Sequence, residues 1–368
     1  MTAPRLKLDY WMVISPLCLV GIGILLQYSA AHPIDLSEPL LSSQPLRHGI
    51  YALAGIVVGL AVARLDYRAL GALAPALYGA STVLLVLVLL VGHSANEVTR
   101  WIHVGVLPVQ PSEIAKVVTV LALGRFWASV PSGAIRIPHT LLSIVIAGVP
   151  LGLVYVQPDL GSAVVFAGIW GGMAIAATVP LRHFLMLAGG ALLSLPVVYK
   201  FVLHGYMQDR LRLFMNPAAD PLGAGYNVLQ SEISVGSGGL WGKGLFNGTQ
   251  NQLDFLRVQQ TDFVFSVLGE ELGFLGAMLV FSLFVVLLWR GLSIALLARD
   301  AFGRLIASGF VMMLLVQVFI NVGVNIRLLP VTGIPLPFLS FGGTSLLAAL
   351  LSLGILQSVY MRRERSDW

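Results

Sequence analysis

Charge is scarce in this chain. Only 11% of its 368 residues are Asp, Glu, Lys or Arg, while 57% are hydrophobic. Soluble domains carry about 25% charged residues, so a soluble globular surface is excluded and the chain belongs in a bilayer. Cysteine is scarcer still. Cys18 is the only one, which rules out an intramolecular disulfide and a thiolate metal site. The seven histidines lack His-Glu-x-x-His or any other paired spacing, so a zinc centre is not expected. Gly-x-Ser-x-Gly and Gly-x-x-x-x-Gly-Lys-Ser/Thr are both absent. That removes the commonest serine-hydrolase signal and any support for nucleotide binding. No internal repeat is visible, so the inverted-repeat pattern of many transporters is missing.

What the chain has is apolar length. Ten segments, near 11–30, 48–64, 69–92, 111–129, 139–156, 160–179, 183–203, 263–289, 304–326 and 343–361, are long enough to cross a ~30 Å hydrocarbon core as helices. The first run follows Arg5 and Lys7 and exceeds a signal-peptide core of ~7–15 residues, so it reads as an uncleaved span. Arg64, Arg68, Arg125, Arg136, Arg182, Arg290, Arg299, Arg304, Arg362, Arg363 and Arg365 then share the side of Arg5 and Lys7, whereas the short loops opposite hold only Arg47, Arg100 and Arg327. The positive-inside asymmetry puts both termini in the cytoplasm. The expectation is an all-α polytopic membrane protein of about ten spans, a single domain over 1–368, with one large external loop (about 204–262) between spans 7 and 8. The net charge of +5 follows this topology and does not indicate nucleic acid.

Polar residues concentrate between Gln208 and Gly276. Asp262 stands where the external loop re-enters an apolar run, and Glu270 and Glu271 lie deeper. Acids at membrane depth are costly and mark functional sites, although a carboxylate at a helix N-terminus is also favoured by the dipole. If the helix began at 262, Asp262 and Glu270 would lie within ~80° of each other and could line one cavity. Glycines 236, 238, 239, 242 and 244 surround Lys243, a composition that suits either close backbone approach to a phosphate or a flexible loop. Tyr226, Leu229 and Ile233 recur as on a short amphipathic helix. Near residue 111, Pro111 starts a helix that puts Glu113 and Lys116 on one face, as an ion pair or as part of an anion site with Arg100, Arg210, Arg212 and Lys243. The prolines and glycines of LLPVTGIPLPFLSFGGTSLL read as a broken or re-entrant external segment.

Together RWIHVGVLPVQPSEIAK, QPDLGSA, NPAADPLGAGYNVLQSEISVGSGGLWGKG, NGTQNQLDFL, TDFVFSVLGEELGFLG and LPVTGIPLPFLSFGGTS resemble the SEDS (shape, elongation, division and sporulation) family, in the family's order. NGTQNQLDFL is most similar to its elongation branch. Arg257-Val258-Gln259-Gln260 and Glu97-Val98-Thr99 depart from the family's usual residues before Thr-Asp-Phe and Arg-Trp. The resemblance implies a multi-pass protein of the bacterial inner membrane. It implies a glycosyltransferase that polymerises lipid II, the undecaprenyl-pyrophosphate-linked disaccharide-pentapeptide, into β-1,4-linked glycan strands. It also implies a class B penicillin-binding protein as partner within the elongation machinery. By the same resemblance Asp262 is the essential acid, Glu113 and Lys116 match the Pro-Ser-Glu-x-Ala-Lys helix, and Arg100 matches the Arg-Trp pair.

Glycosyl transfer from an α-linked pyrophosphate donor needs a base, charge stabilisation on the leaving group, and positioning. Asp262 is the expected base, in a single inverting displacement. Arg100, Lys116, Arg210 and Lys243 are the candidates for the pyrophosphate, and Glu113 and Glu270 complete the binding region. A divalent cation, Mg or Mn, held by external acids would assist. A flippase for the lipid-linked precursor and a non-catalytic scaffold for the cross-linking enzyme are the alternatives. The clustering of polar residues on one external face favours chemistry there.

Overall fold

The structure is a computed structural model that describes residues 8–31, 43–91, 100–104, 107–131, 133–197, 200, 205–217, 220, 223–253, 255–256 and 260–363. Arg5, Lys7, Glu97, Arg365 and the departure at 257–259 lie outside the described residues.

Among the described residues ten long helices answer the ten apolar segments: α1 (Trp11–Ala30), α2 (Gln44–Arg64), α3 (Tyr67–Val91), α4 (Pro111–Ala128), α5 (Ile137–Val156), α6 (Leu160–Ala176), α7 (Leu181–Val197), α11 (Val264–Leu297), α12 (Ala301–Asn325) and α13 (Gly343–Met361). Seven combine the length and apolarity of a membrane span. Of the others, α6 and α7 are apolar but 17 residues long, and α4 carries Glu113, Lys116 and Arg125. Short helices α8 (Gly205–Met215), α9 (Ala224–Ser237) and α10 (Thr249–Gln252) occupy the large loop. A hairpin of β1 (Ile102–Val104) and β2 (Leu107–Val109), not expected from the sequence, precedes α4.

The helix starts are chemically marked. Pro111 opens α4, where its missing N–H costs nothing. Asp159 Oδ1 accepts from Ser162 N at 3.0 Å to cap α6, and Asp300 Oδ1 accepts from Gly303 N at 2.7 Å to cap α12. Buried faces concentrate on α4, α12 and α13, which form the centre, while α3 is largely exposed. Glycines let α2 and α13 touch: a Cβ on Gly59 would lie 2.9 Å from Leu350 O.

The two ends of the bundle differ. At one end Asp9 pairs with Arg290, Arg68 with Asp300, and Arg362 Nη2 donates to Arg64 O, so both ends of the described chain meet there. At the other lie the hairpin, α8–α10 and the segment 326–342. That segment is irregular yet buried, with Leu336, Phe338, Leu339 and Ser340 all enclosed. Side chains satisfy its backbone: Asn321 Nδ2 donates to Ile334 O at 2.8 Å, and Gln27 Nε2 donates to Leu339 O at 3.2 Å. Irregular backbone at membrane depth persists only under such cover.

Helix α7 stands apart. Of its described side chains only His183 is buried. It is fastened at its first turn, where His183 Nδ1 shares a 2.8 Å hydrogen bond with Thr140 Oγ1 and the Phe184 ring packs 5.9 Å from Trp170.

Candidate active site

Asp262 sits at a pinned elbow. Three successive carbonyls are held from outside the turn: Gln260 O accepts from Gln27 Nε2 (2.7 Å) and Phe341 N (2.9 Å), and Thr261 O from Ser340 Oγ (2.5 Å). Asp262 O accepts from Asn321 Nδ2 (3.0 Å) and Asn325 Nδ2 (2.9 Å). The helix begins at Val264 with Phe263 as its N-cap and no side-chain cap, so the Asp262 carboxylate is not serving the helix end.

That carboxylate faces the segment 331–334. A Cβ built on Gly333 would lie 3.7 Å from Asp262 Oδ2, and Gly333 has φ +76°, which a side chain would strain. Two arginines are anchored around it by backbone carbonyls. Arg210 Nη1 donates to Val331 O at 2.9 Å, and Arg100 donates through Nε to Gln157 O at 3.0 Å and through Nη2 to Pro158 O. Asp159 completes the group, with Oδ2 accepting from Gln110 Nε2 at 3.2 Å. Burial pushes the Asp262 carboxyl above the usual carboxylate range. A hydrogen bond from Thr261 and the charges of Arg210 and Arg100 pull against it, and Asp159 adds to the rise. A carboxylate so raised is a stronger base near neutral pH.

The other predicted residues form separate clusters. Residues 262 and 263 precede the helix, and the Glu270 carboxylate is taken up by partners other than those around Asp262. Fully buried, its Oε1 accepts from Lys243 Nζ (2.6 Å), Thr249 Oγ1 (3.0 Å) and Gln250 N (3.1 Å). Lys243 is thereby committed to Glu270. Glu113 and Lys116 pair at 2.8 Å on α4, 2% and 1% exposed. The exposed Arg212 pairs loosely with Asp209, at 3.8 Å.

The glycine-rich segment has a third role, neither phosphate cradle nor slack loop. Helix α11 is broken at Gly273 (φ 66°, ψ −164°), a backbone conformation reserved to glycine. Residues 238–244 fill the break. Lys243 N and Gly244 N donate to Glu270 O and Glu271 O (2.9 and 3.0 Å), while Phe274 N and Leu275 N donate to Gly239 O and Leu240 O (2.9 and 3.1 Å). Those amides are therefore not available to an anion. A Cβ on Gly273 would lie 2.3 Å from Gly242 N. Gly273→Ala is expected to destabilise the fold by roughly 3 kcal/mol, read as a lower melting temperature in detergent. An unchanged melting temperature would mean that the segment is not wedged into the helix.

Helix α9 forms as its sequence pattern predicts, but with another face buried. Ile233 is 49% exposed, whereas Val228, Ser231 and Ser234 are buried. Ser231 Oγ and Ser266 Oγ share a 2.7 Å bond, and Ser234 Oγ donates to Ser266 O at 3.0 Å, so a serine face docks on α11. The sequence reading also missed Asp159, Gln110, Asn321 and Asn325. Two amides four apart within an apolar run were the available signal. Among the described residues no three Asp, Glu, His or Cys side chains gather as metal ligands.

A chain with this elbow and this bundle can be compared with known proteins. Residues 10–365 match the profile of the FtsW, RodA and SpoVE family of cell cycle proteins. The chain belongs to that family. Within it, peptidoglycan glycosyltransferase MrdB of Escherichia coli K12 is 36% identical over 365 residues, covering 97% of both chains. Among solved structures, a chain of a peptidoglycan synthase complex that coordinates polymerization and crosslinking superposes with TM-score 0.81 at 32% identity, covering 96% of this chain and 98% of that one. The rod shape determining protein RodA of Thermus thermophilus gives 0.72 at 30% identity, covering 99% and 100%.

Proposed function

We propose that this peptidoglycan glycosyltransferase polymerises a polyprenyl-pyrophosphate-linked disaccharide, lipid II, with Asp262 as general base. The observation that supports this most directly is one ionisable carboxylate on a pinned elbow, under the influence of two carbonyl-anchored arginines. In the reaction an acceptor sugar hydroxyl attacks the donor's anomeric carbon as the bond from that carbon to the pyrophosphate oxygen breaks. The hydroxyl proton passes to Asp262, and the pyrophosphate leaves with its negative charge beside Arg100 and Arg210. A single displacement inverts the anomeric centre and gives a β-linked strand. Prenyl tails would lie in the bilayer beside α7, where few side chains are enclosed. The chain is a multi-pass membrane protein, and we place it in the bacterial inner membrane, arginine-rich end inward. A cross-linking enzyme of the class B penicillin-binding type would work beside it.

The test supplies labelled lipid II directly at the outer face of reconstituted protein, with and without that partner. Arg100→Gln or Arg210→Gln is expected to slow polymerisation about 10²–10³-fold, the usual loss for one oxyanion donor. A flippase would show no such dependence, because this substrate has already crossed. Wild-type rates in both variants would sink the assignment of the leaving-group site.

A further inference from the structure

At the arginine-rich end, remote from Asp262, helices α3, α4, α5 and α12 line an open cavity of about 740 Å³. Small residues line it, Gly71 and Ala74 on α3 and Ala122 on α4, and the Phe302 ring of α12 packs against Gly71. Its walls run from Arg68 to Tyr78, ten helical residues or about 15 Å, which is half of a ~30 Å hydrocarbon core. The deep part offers little to water: the Tyr78 hydroxyl already donates to Ile146 O at 2.8 Å. Polarity is confined to the mouth, where Arg68 and Arg125 both stand. Arg68 uses Nε on Asp300 at 2.9 Å, and Asp300 also accepts from Tyr67. Among the described residues no acid pairs with Arg125.

A pocket that is apolar for one leaflet's depth and cationic at its mouth is complementary to an amphiphile with an anionic head. Its volume lies within the 300–1,000 Å³ typical of ligand sites. We propose that this cavity binds a glycerophospholipid of the cytoplasmic leaflet, with one acyl chain between α3, α4 and α5 and the phosphate held by Arg125 and Arg68. The depth of one leaflet favours an acyl chain over a much longer polyprenyl chain. The site is separate from the catalytic elbow and does not depend on the reading of Asp262.

Native mass spectrometry of the purified full chain, titrated with phosphatidylglycerol or phosphatidylcholine, tests this. Wild type is expected to retain phosphatidylglycerol preferentially. Arg125→Gln should weaken that retention about five-fold, the usual share of one basic residue near an anionic headgroup. Ala122→Phe puts a ring into the path between α3 and α4 and should weaken retention of either lipid, its fold checked by its melting temperature. Arg182→Gln, an equal charge change on the same face outside the cavity, should have no effect. Equal losses in Arg125→Gln and Arg182→Gln would overturn the proposal, as would undiminished binding to a folded Ala122→Phe. If that variant does not fold, Arg125→Gln against Arg182→Gln decides alone. Displacement by undecaprenyl phosphate at far lower concentration than by phosphatidylglycerol would overturn the choice of lipid.

Discussion

Asp262→Asn is expected to lower the polymerisation rate by about 10²–10⁴-fold, the range for loss of a general base, while the protein stays at least as stable as the parent. The two halves share one cause. Burial of the elbow raises the Asp262 carboxyl, so the ionised form is disfavoured in the folded protein. A group whose folded pKa lies above its unfolded value contributes stability at low pH and loses it as pH rises through the folded value. Asparagine cannot ionise and escapes that loss. The melting temperatures of variant and parent should therefore agree at low pH, diverge between the unfolded and folded pKa with the variant higher, and stay apart above the folded value. Over the same window the parent's activity should climb as the base deprotonates. A variant that polymerises at the parent's rate would remove Asp262 from the chemistry. A parent whose activity persists at pH 4 would contradict the raised carboxyl.

The second large effect lies on α4. Lys116→Met leaves the Glu113 carboxylate 2% exposed with its 2.8 Å partner gone, and orphaning a buried charge costs about 3–5 kcal/mol. Adding Glu113→Gln removes that charge and should restore most of the melting temperature, so the two substitutions should be far from additive. The rate of the double variant then assigns the lysine. A stable double variant that polymerises makes the pair a helix clamp. A stable one that cannot polymerise brings Lys116 into the reaction, where the pair would have to open for its ammonium to reach a pyrophosphate. Additive destabilisation would refute the orphaned-charge account.

Legibility differed sharply between parts of the chain. Asp262 stood out because a carboxylate at the mouth of an apolar run has a cost that can be read locally. The role of Lys243 did not, because its partner Glu270 lies 27 residues away across a helix break that no propensity announces. Helix α9 was visible by its period, yet its buried side is Ser231 and Ser234, polar residues that are worth burying only because Ser266, Asn325 and Glu270 receive them. In the sequence Asp159 belongs only to the stretch QPDLGSA, with nothing local that ties it to Asp262. Its place beside Asp262 depends on the docking of α6 against the segment 331–334, where a Cβ on Gly161 would lie 2.7 Å from Thr332 O.

By itself the sequence determined the ten helices, their alternation and the arginine-rich end. The bilayer imposes rules that each segment meets alone: hydrocarbon thickness sets length, backbone hydrogen bonding requires helix, and Lys/Arg bias sets direction. The tertiary structure decided which polar residues meet. Arg100, Asp159, Arg210 and Asp262 are spread over more than 160 positions, and they converge because buried donors and acceptors must be satisfied by whatever packing brings within reach.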